Sequence, residues 1–407
     1  MSAKPSAQPP RTLHERVRGD FPLLRQELDD RPAVFLDCAS TTPKPRAVID
    51  AVVDYYTTYT ANVHRSLHPF GEKSTERYEA ARYEVASFLN ASPAEIVFTK
   101  NATEAFNLVA FAMKFAPDDE IVLPSSEHHS NFLPWRTHGK PVLLDVDEDG
   151  VPRYEQLEAR ITAKTRLATV AHVSNVTGTI APIDEWIATA QAHGVATMID
   201  ASQSASHLPI DVKKLGCDFL AFSGHKLLAP SGVGVLFAKR ERLAKLEPFL
   251  TGGGMVSYHG EDKFVLRDDP WRFEAGTPAI EATIGLGAAI AYLRRLGMEN
   301  VREHSLEIGR ELNRTLSAIP GVRILGGADA PRIGLATFTA PVPAVAADGL
   351  ARLLADGYSI CCSGGYHCAH ILHHRLNLAG TVRASGHVFT SPEDIAQLGN
   401  ALREIIQ

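Results

Sequence analysis

Short apolar runs of strand length alternate with amphipathic segments between about residues 95 and 237. Residues 182–193 show the helical half of this pattern, because Ile183, Trp186, Ile187 and Ala190 recur at helical spacing and Gly194 follows. Alternation of this kind predicts an α/β fold, in which helices cover both faces of a mostly parallel sheet. The seven runs predicted as strands are residues 95–100, 120–124, 141–146, 167–173, 196–200, 219–222 and 233–238.

The pattern changes after residue 250, where a glycine-rich stretch and a charged stretch interrupt it. A long helix is predicted over residues 279–296. The remaining chain is predicted to form a separate series of helices and short strands. The chain is predicted to end in a helix capped by Ser391, with Pro392 at its first position. We therefore expect an N-terminal segment (1–35, a flexible tail that then packs on the small domain), a large domain (36–290) and a smaller α+β domain (291–407).

The bulk composition is that of a globular protein and narrows the choice of partners. A chain of 407 residues exceeds one core of ordinary size, which supports two domains. The net charge of -6 disfavours a nucleic-acid partner, and no apolar run approaches membrane-spanning length. Five cysteines in so long a chain do not form a disulfide framework, and the first twelve residues show no export signal. A cytoplasmic location is expected.

Two charged residues follow predicted strands and together suggest a cofactor. Asp200 closes the run 196–200, and Lys226 follows the run 219–222 in the sequence Ser-Gly-His-Lys. Carboxyl ends of strands are where α/β sheets bind ligands. Pyridoxal 5'-phosphate (PLP) binds covalently to a lysine amine and needs a carboxylate to keep its ring nitrogen protonated. The pair therefore predicts a PLP site, with Lys226 on the aldehyde carbon and Asp200 on the ring nitrogen.

With Gln203 following Asp200, this arrangement resembles the fold type I PLP enzymes of the aminotransferase class V branch. The resemblance runs from about residue 30 to the C-terminus. It implies a large domain built on a mostly parallel seven-stranded sheet, plus a smaller C-terminal domain.

The cofactor phosphate is expected at the start of a helix predicted over residues 104–115. The amides of Ala102 and Thr103 and the Thr103 hydroxyl could converge there, because helix N-termini bind anions. An ordinary helix cap by Thr103 is the alternative interpretation. Ser223 and His225, which flank the lysine, are the natural remaining phosphate ligands.

The resemblance assigns five further residues to the cofactor. His128 matches the histidine that stacks on the ring, and Asn175 and Gln203 match ligands of a cofactor oxygen. Gly276 and Thr277 match a segment that reaches the phosphate site of the neighbouring subunit. An obligate homodimer is thereby implied.

The C-terminal domain supplies the residues that indicate the reaction. Cys368 is followed fifteen residues later by Arg383, and this spacing resembles the group II cysteine desulfurases. The resemblance implies that Cys368 takes sulfur from L-cysteine as a persulfide and that Arg383 grips the substrate carboxylate. L-alanine would be released, and an unidentified acceptor protein or small thiol would receive the sulfur. His128 would take the proton of the substrate thiol.

Four more residues are assigned to the substrate by the same resemblance, and one of them is Asn175, which is also a cofactor ligand. His64 and Arg65 match a segment near the substrate. Ala39 belongs to an N-terminal strand and turn that line the pocket.

The cysteine loop departs from the pattern of the resembled family. Ser363 and Tyr366 stand where that family usually has arginine and histidine, and both changes remove positive charge near the thiol. A carbon-sulfur lyase or epimerase, with Cys368 incidental, is therefore an alternative, as is a non-enzymatic scaffold. A zinc site is a further alternative, although no paired metal-binding spacing is present, so no metal is expected. The residues that suggest zinc are Cys361, Cys362, His370, His373 and His374.

Overall fold

The structure is a computed structural model that describes residues 12–268, 270–327, 330–342 and 345–407. Its helices are α1 (Leu13–Val17), α2 (Arg46–Thr58), α3 (Pro69–Leu89), α4 (Ala102–Ala112), α5 (Leu133–His138), α6 (Leu157–Arg160), α7 (Ile183–Ala192), α8 (Val212–Leu215), α9 (Arg240–Leu243), α10 (Ile280–Leu296), α11 (Met298–Ser317), α12 (Ala347–Tyr358), α13 (His370–Arg375) and α14 (Pro392–Ile406).

The strands, in chain order, are β1 (Glu27–Leu28), β2 (Arg31–Pro32), β3 (Val34–Phe35), β4 (Ile96–Thr99), β5 (Glu120–Pro124), β6 (Lys140–Leu144), β7 (Thr165–Ala171), β8 (Ala196–Asp200), β9 (Phe219–Ser223), β10 (Gly234–Ala238), β11 (Val256–His259), β12 (Phe264–Leu266), β13 (Arg323–Ile324), β14 (Leu335–Thr339), β15 (Ile360–Cys361), β16 (Ser363–Gly365) and β17 (Thr381–Ser385).

A seven-stranded sheet organises the larger part of the molecule, in the order β4-β10-β9-β8-β7-β5-β6. The five strands from β9 to β6 are parallel, whereas β10 is antiparallel to both of its neighbours. All seven predicted runs form its strands, with ends shifted by a few residues. The α/β fold with a mostly parallel seven-stranded sheet is confirmed.

Both faces of this sheet are buried, which explains the continuous apolar runs in the sequence. Every residue of β4, β5, β8, β9 and β10 is buried, as is usual when helices cover both faces. The long helix predicted over residues 279–296 is α10, which packs against α2 and α3. It therefore belongs to the helical layer of the large sheet for most of its length.

The C-terminal part of the chain forms a second sheet, β13-β14-β17-β16, with its own apolar cluster. Its last helix is capped as predicted, because the Ser391 hydroxyl accepts from the amide of Asp394. The N-terminal segment joins this part: β3 pairs in parallel with β15, and Arg18 binds Asp394 at 2.6 Å. The part of the N-terminal segment predicted as a tail lies largely outside the described residues, and the division at residues 35 and 290 stays a prediction.

Loops from the carboxyl ends of the parallel strands meet the small domain at one edge of the large sheet. Strands β5, β7, β8 and β9 are parallel, so the loops that follow them lie at the same edge of the sheet. The turn after β9 carries Lys226. Ligands bind at such edges in α/β folds. The functional site is built at this edge.

Candidate active site

A cavity of about 510 Å³ lies at this edge of the sheet, between loops of the large domain and β16 and β17. Most of the residues predicted from the sequence line it. They are Ala39, Ala102, Thr103, His128, Asn175, Asp200, Gln203, Ser223, His225, Lys226, Cys368 and Arg383. The structure therefore brings groups from all parts of the chain into one space.

Lys226 lies in a tight turn directly after β9 and is half-buried. Gly224 makes this turn possible, because a side chain there would meet the Val233 carbonyl at 2.9 Å. Burial, together with the Arg383 charge, lowers the pKa of Lys226 to about 8, while the Asp200 charge acts in the opposite direction. A substantial neutral fraction at neutral pH suits an amine that must act as a nucleophile or a base.

Asp200 ends β8 and is buried below the same cavity. Its Oδ1 accepts a hydrogen bond of 2.8 Å from the amide of Ser202. Burial raises the pKa of Asp200, while bonds from Ser202 and the Lys226 charge lower it. A buried carboxylate in this position can hold a cationic ring nitrogen, since the ion pair would offset the desolvation of both groups.

The start of α4 has the donors that an anion requires. The amide of Ala102 donates to the Ser223 hydroxyl at 2.9 Å, and the hydroxyls of Thr103 and Ser130 lie 2.7 Å apart. The helix cap is Asn101, whose side chain accepts from the amide of Glu104 at 3.0 Å. The alternative reading of Thr103 as the cap is thus wrong, and its hydroxyl is directed to Ser130 instead.

The helix itself differs from the prediction of residues 104–115. It begins two residues earlier because Asn101 caps it, and it ends at Ala112. Lys114 has a left-handed backbone, with φ of 51°, which cannot continue a helix.

His128 presents a ring N–H to its surroundings. Its Nδ1 accepts from the amide of Ser130 at 3.0 Å, so the proton of the neutral ring is on Nε2. Burial lowers the pKa of His128 to about 3, and the Lys226 charge contributes. The ring is therefore neutral at physiological pH. In this tautomer it donates at Nε2, and taking a substrate proton there would first require that proton to leave.

Asn175 and Gln203 connect the cavity wall to the cysteine loop and to the N-terminal turn. The Asn175 side chain donates to the His367 carbonyl at 2.8 Å. The Gln203 side chain donates to the Ala39 carbonyl at 3.0 Å. Both amides are polar groups within reach of a bound ligand, and their assignment to a cofactor oxygen stays a prediction.

Arg383 is buried in β17 and is only partly satisfied by the protein. Its guanidinium donates to the Asn175 carbonyl at 2.9 Å and to the Ser40 hydroxyl at 2.8 Å, while Asp37 is 3.8 Å away. Its Nε has no hydrogen-bond partner among the described residues, and burial lowers the pKa of Arg383. An unpaired buried N–H of a cation is costly, and a substrate carboxylate would satisfy it.

Ser363, which replaces the arginine of the resembled family, belongs to this same network. Its hydroxyl donates to Asp37 Oδ1 at 2.6 Å, and the Ser40 hydroxyl donates to the same oxygen at 2.7 Å. Asp37 is thus occupied by two hydroxyls and remains 3.8 Å from Arg383. The guanidinium is left available to a ligand.

Cys368 is an exposed free thiol in a loop that borders the cavity. His367 and Cys368 both have left-handed backbones, with φ of 49° and 56°. Three hydrogen bonds hold this conformation: Asn175 to the His367 carbonyl, the His129 amide to the Cys368 carbonyl at 2.9 Å, and the Ala369 amide to the Tyr366 carbonyl at 2.8 Å. The thiol is therefore exposed on a well-anchored backbone.

Four predicted site residues lie outside the cavity of their own chain. His64 pairs with Glu79 at 3.2 Å, and Arg65 lies against Gly254. Gly276 lines the same small pocket as His64 and Arg65, and the Asn62 side chain is 3.5 Å from the Thr277 hydroxyl. For Gly276 and Thr277 this is compatible with a role in a neighbouring subunit. The substrate role of His64 and Arg65 stays a prediction that needs a second chain.

Sequence reasoning missed a buried carboxyl group beside the site. Glu127 accepts from the amide of Ala171 at 2.9 Å and from Asn131 at 2.7 Å. Burial raises the pKa of Glu127 to about 8. Through its two hydrogen bonds, Glu127 joins the loop after β5 to the end of β7, next to His128. In the sequence, the only indication that Glu127 is part of the site is its position directly before His128, because a glutamate in a loop is ordinarily exposed.

The cysteines and histidines that suggested zinc do not form a metal site. Within the described ranges, no group of three or more His, Cys, Asp or Glu side chains is placed to hold a metal ion. His370 instead stacks on Tyr366 and contacts His129 at 3.2 Å.

No helix in the described part of the chain is both long and apolar enough to cross a membrane.

The donor set fits PLP. The α4 N-terminus with the Thr103, Ser130 and Ser223 hydroxyls suits a phosphate, and the buried Asp200 suits a pyridinium nitrogen. Lys226 supplies an amine of lowered pKa, and the unpaired Nε–H of Arg383 suits an anionic acceptor. All these groups line one cavity.

Comparison with known proteins agrees with this arrangement. A probable cysteine desulfurase of Halalkalibacterium halodurans is 41% identical over 401 residues, which cover 96% of this chain and 97% of that protein. A cysteine desulfurase of Pectobacterium atrosepticum is 39% identical and covers 96% of this chain and 97% of its own. The apo structure of a cysteine desulfurase from Thermococcus onnurineus superposes with a TM-score of 0.91 at 36% identity, covering 96% of this chain and 98% of that one.

The model of one family matches nearly the whole chain, over residues 34–398. This match includes every predicted site residue, from Ala39 to Arg383. The chain belongs to the aminotransferase class-V family.

Proposed function

We propose that this protein is a PLP-dependent cysteine desulfurase, a sulfurtransferase that converts L-cysteine to L-alanine and carries the sulfur as a persulfide on Cys368. One observation carries the proposal. An exposed thiol borders the same cavity as a half-buried amine, a buried carboxylate and a guanidinium with an unsatisfied N–H. The relatives named cysteine desulfurase support the same reaction.

PLP, when bound, supplies an electron sink for the bond changes at the substrate carbon atoms. Asp200 would keep the ring nitrogen of the cofactor protonated, because an ion pair in a buried site favours the charged forms of both partners. Lys226 is expected to move the proton of the substrate α-carbon. Its pKa of about 8 lets it both accept and return a proton near neutral pH.

Arg383 orients the substrate. A carboxylate that receives two parallel hydrogen bonds from the guanidinium is fixed in its plane as well as in its position. The Asn175 carbonyl and the Ser40 hydroxyl hold the guanidinium while Nε remains free. This support fixes the arginine before the substrate arrives.

Cys368 performs the sulfur transfer. Its thiolate attacks the substrate sulfur, a sulfur-sulfur bond forms, and the bond between that sulfur and the β-carbon breaks. The electron pair of the broken bond and a proton stay with the carbon fragment, which leaves as alanine. The sum is one thiol and one cysteine converted to one persulfide and one alanine, with no external oxidant.

His128 is assigned to the ring face and to the substrate thiol. Because Nδ1 accepts from Ser130, Nε2 carries the ring proton and would stabilise a substrate thiolate by a hydrogen bond. Taking the thiol proton, the role that we expected from sequence, requires the other tautomer, in which the ring proton is on Nδ1 and the hydrogen bond from Ser130 is lost. The observed tautomer favours stabilisation over acceptance.

The active unit is proposed to be a homodimer. Gly276 and Thr277 lie away from their own chain's cavity, beside residues 62–65. Apolar side chains in adjoining segments are exposed, among them Leu67 at 94% and Phe70 at 57%. Exposed apolar groups of this size mark interaction surfaces. A second chain would cover them and bring Gly276 and Thr277 to its own phosphate site.

The sulfur acceptor is proposed to be a protein or a small thiol, since an exposed persulfide can be reached by either.

All five cysteines are free. This supports the reducing, cytoplasmic setting expected from the sequence.

The test of the proposal is Cys368→Ala, with Cys361→Ala as the matched control. Purified protein is incubated with PLP and L-cysteine, alanine is measured, and any persulfide is mapped by mass spectrometry. Cys368→Ala should bind PLP and respond spectrally to cysteine, yet make no alanine and carry no persulfide, because the nucleophile itself is gone. Cys361→Ala should retain both.

The outcome against the proposal is equally specific. Near wild-type alanine formation by Cys368→Ala would show that the thiol is incidental. Cleavage or epimerisation of another amino acid, with no alanine from cysteine, would favour the lyase or epimerase alternative. Absence of any visible band with PLP would favour the scaffold alternative.

A further inference from the structure

The peptide carbonyl directly before Lys226 is surrounded by donors from the N-terminal turn. The carbonyl oxygen of His225 accepts from the Thr42 amide at 3.0 Å and from the Thr42 hydroxyl at 3.0 Å. The Thr41 hydroxyl lies at 3.2 Å and the Lys44 amine at 3.1 Å from the same oxygen. A carbonyl oxygen has two lone pairs, so four donors saturate it.

Lys44 is the unusual member of this group. It is half-buried, and burial lowers its pKa to about 8. Its hydrogen-bond partners in the described part of the chain are neutral oxygens: Thr41 Oγ1, the Thr42 carbonyl and the His225 carbonyl. No carboxylate there forms a salt bridge with it. A half-buried amine without a counter-ion costs stability, so its retention requires another explanation.

The same turn also contacts the substrate end of the cavity. The Thr42 hydroxyl accepts from the amide of Leu228, just after Lys226. Upstream, Ser40 binds Arg383 and the Ala39 carbonyl accepts from Gln203. Residues 39–44 therefore connect both sides of Lys226 with the residues proposed to hold the substrate.

We infer that Lys44 is a positioning residue for Lys226: its ammonium group fixes the peptide between His225 and Lys226 so that the Lys226 amine is presented to the cavity. This inference rests on the proposed function, in which Lys226 is the lysine that takes PLP. Loss of the ammonium group removes the only charged donor to this oxygen and leaves three neutral ones, so the peptide plane is held less firmly. The amine of Lys226 then spends less time in the reactive orientation.

The test measures the capture of PLP by Lys226 in the apo protein, which forms one C=N bond and releases one water. Stopped-flow absorbance gives the rate, and borohydride reduction followed by peptide mass mapping gives the lysine used. Lys44→Met keeps the aliphatic stem and removes the charge and the donor. Capture should slow about tenfold, as expected for the loss of one charge-assisted hydrogen bond. Lys44→Arg should restore most of the rate.

Two further variants make the test specific. Thr41→Val removes a neutral donor at an exposed position, so it should fold normally and slow capture by about twofold to threefold. Lys213→Met removes an exposed lysine far along the chain and should change nothing. The melting temperature of apo Lys44→Met should not fall, because the change removes a half-buried charge that lacks a counter-ion.

Each result decides the inference. Wild-type capture rates in Lys44→Met would overturn it. So would slow capture together with a lowered melting temperature and no rescue by Lys44→Arg, since that combination indicates a purely structural role. If the wild-type protein forms no adduct on Lys226, the proposed function fails first and the inference fails with it. A normal wild-type adduct with an unaffected variant refutes the inference alone.

Discussion

The buried ion pair between Arg82 and Glu274 gives a stability prediction that can be worked out from the structure. Arg82 donates to the two carboxylate oxygens of Glu274 at 2.8 and 2.9 Å. The Arg82 side chain is 1% exposed and that of Glu274 is 8% exposed. Glu274 also accepts from the amide of Phe98 at 2.8 Å. It therefore ties α3 and β4 to the segment that carries Gly276 and Thr277.

Glu274→Gln should lower the free energy of unfolding of the apo protein by about 3 kcal/mol. Removing one partner of a buried pair costs about 3–5 kcal/mol because the other charge is left uncompensated. The lower end applies because Glu79 still accepts from Arg82 Nε at 2.9 Å. Urea unfolding at a fixed protein concentration measures the change.

Glu84→Gln is the matched control. Glu84 binds Arg294 at the same distance of 2.8 Å, but those side chains are 39% and 47% exposed. The control should cost less than about 1 kcal/mol. Adding Arg82→Met to Glu274→Gln should recover part of the loss, since the stranded charge is then gone. A cost for Glu274→Gln no larger than that of the control would refute the reasoning.

Three more predictions concern the site and its surroundings. Lys226→Ala should give no visible band with PLP and no borohydride adduct, and an adduct on another lysine would contradict the cofactor assignment. Arg383→Lys should keep the colour but raise KM for cysteine at least about tenfold because the fork of donors is lost, and an unchanged KM would contradict the carboxylate role. Burial lowers the pKa of His207 to about 3. As pH falls below about 6.5, the unfolded chain therefore binds a proton at this position that the folded chain does not, and His207 alone should lower stability by about 2 kcal/mol at pH 5. Urea unfolding of the wild type and of His207→Asn at pH 7.5 and 5 tests this, because the variant should lose about 2 kcal/mol less on acidification than the wild type does.

The sheet was predictable because its strands are buried on both faces and read as continuous apolar runs. Asp200 and Lys226 were found for the same reason, since each follows such a run directly. Strand order was not predictable, because it depends on how crossovers pack rather than on local sequence. The cap of α4 was missed because Asn101 and Thr103 are both good capping residues.

The remaining site features depend on contacts between distant parts of the chain. Asp37 and Ser363 are 326 residues apart, and no local signal shows that their hydrogen bond leaves Arg383 available. The tautomer of His128 is set by the amide of Ser130 and requires coordinates. The proposed role of Gly276 and Thr277 requires a second chain. From the sequence, that role was inferred from resemblance alone.

The pairing of β3 with β15 has a consequence for synthesis of the protein. Asp37 leaves the ribosome 326 residues before Ser363, its hydrogen-bond partner. At about 5–20 residues per second, the N-terminal strand waits about 16–65 s for its partner. The large sheet can form during this interval, but Arg383, Cys368 and the C-terminal partners of residues 34–37 arrive last. A nascent chain can therefore fold around Lys226 well before it can hold a substrate, and the capacity for sulfur transfer appears only when translation is nearly complete.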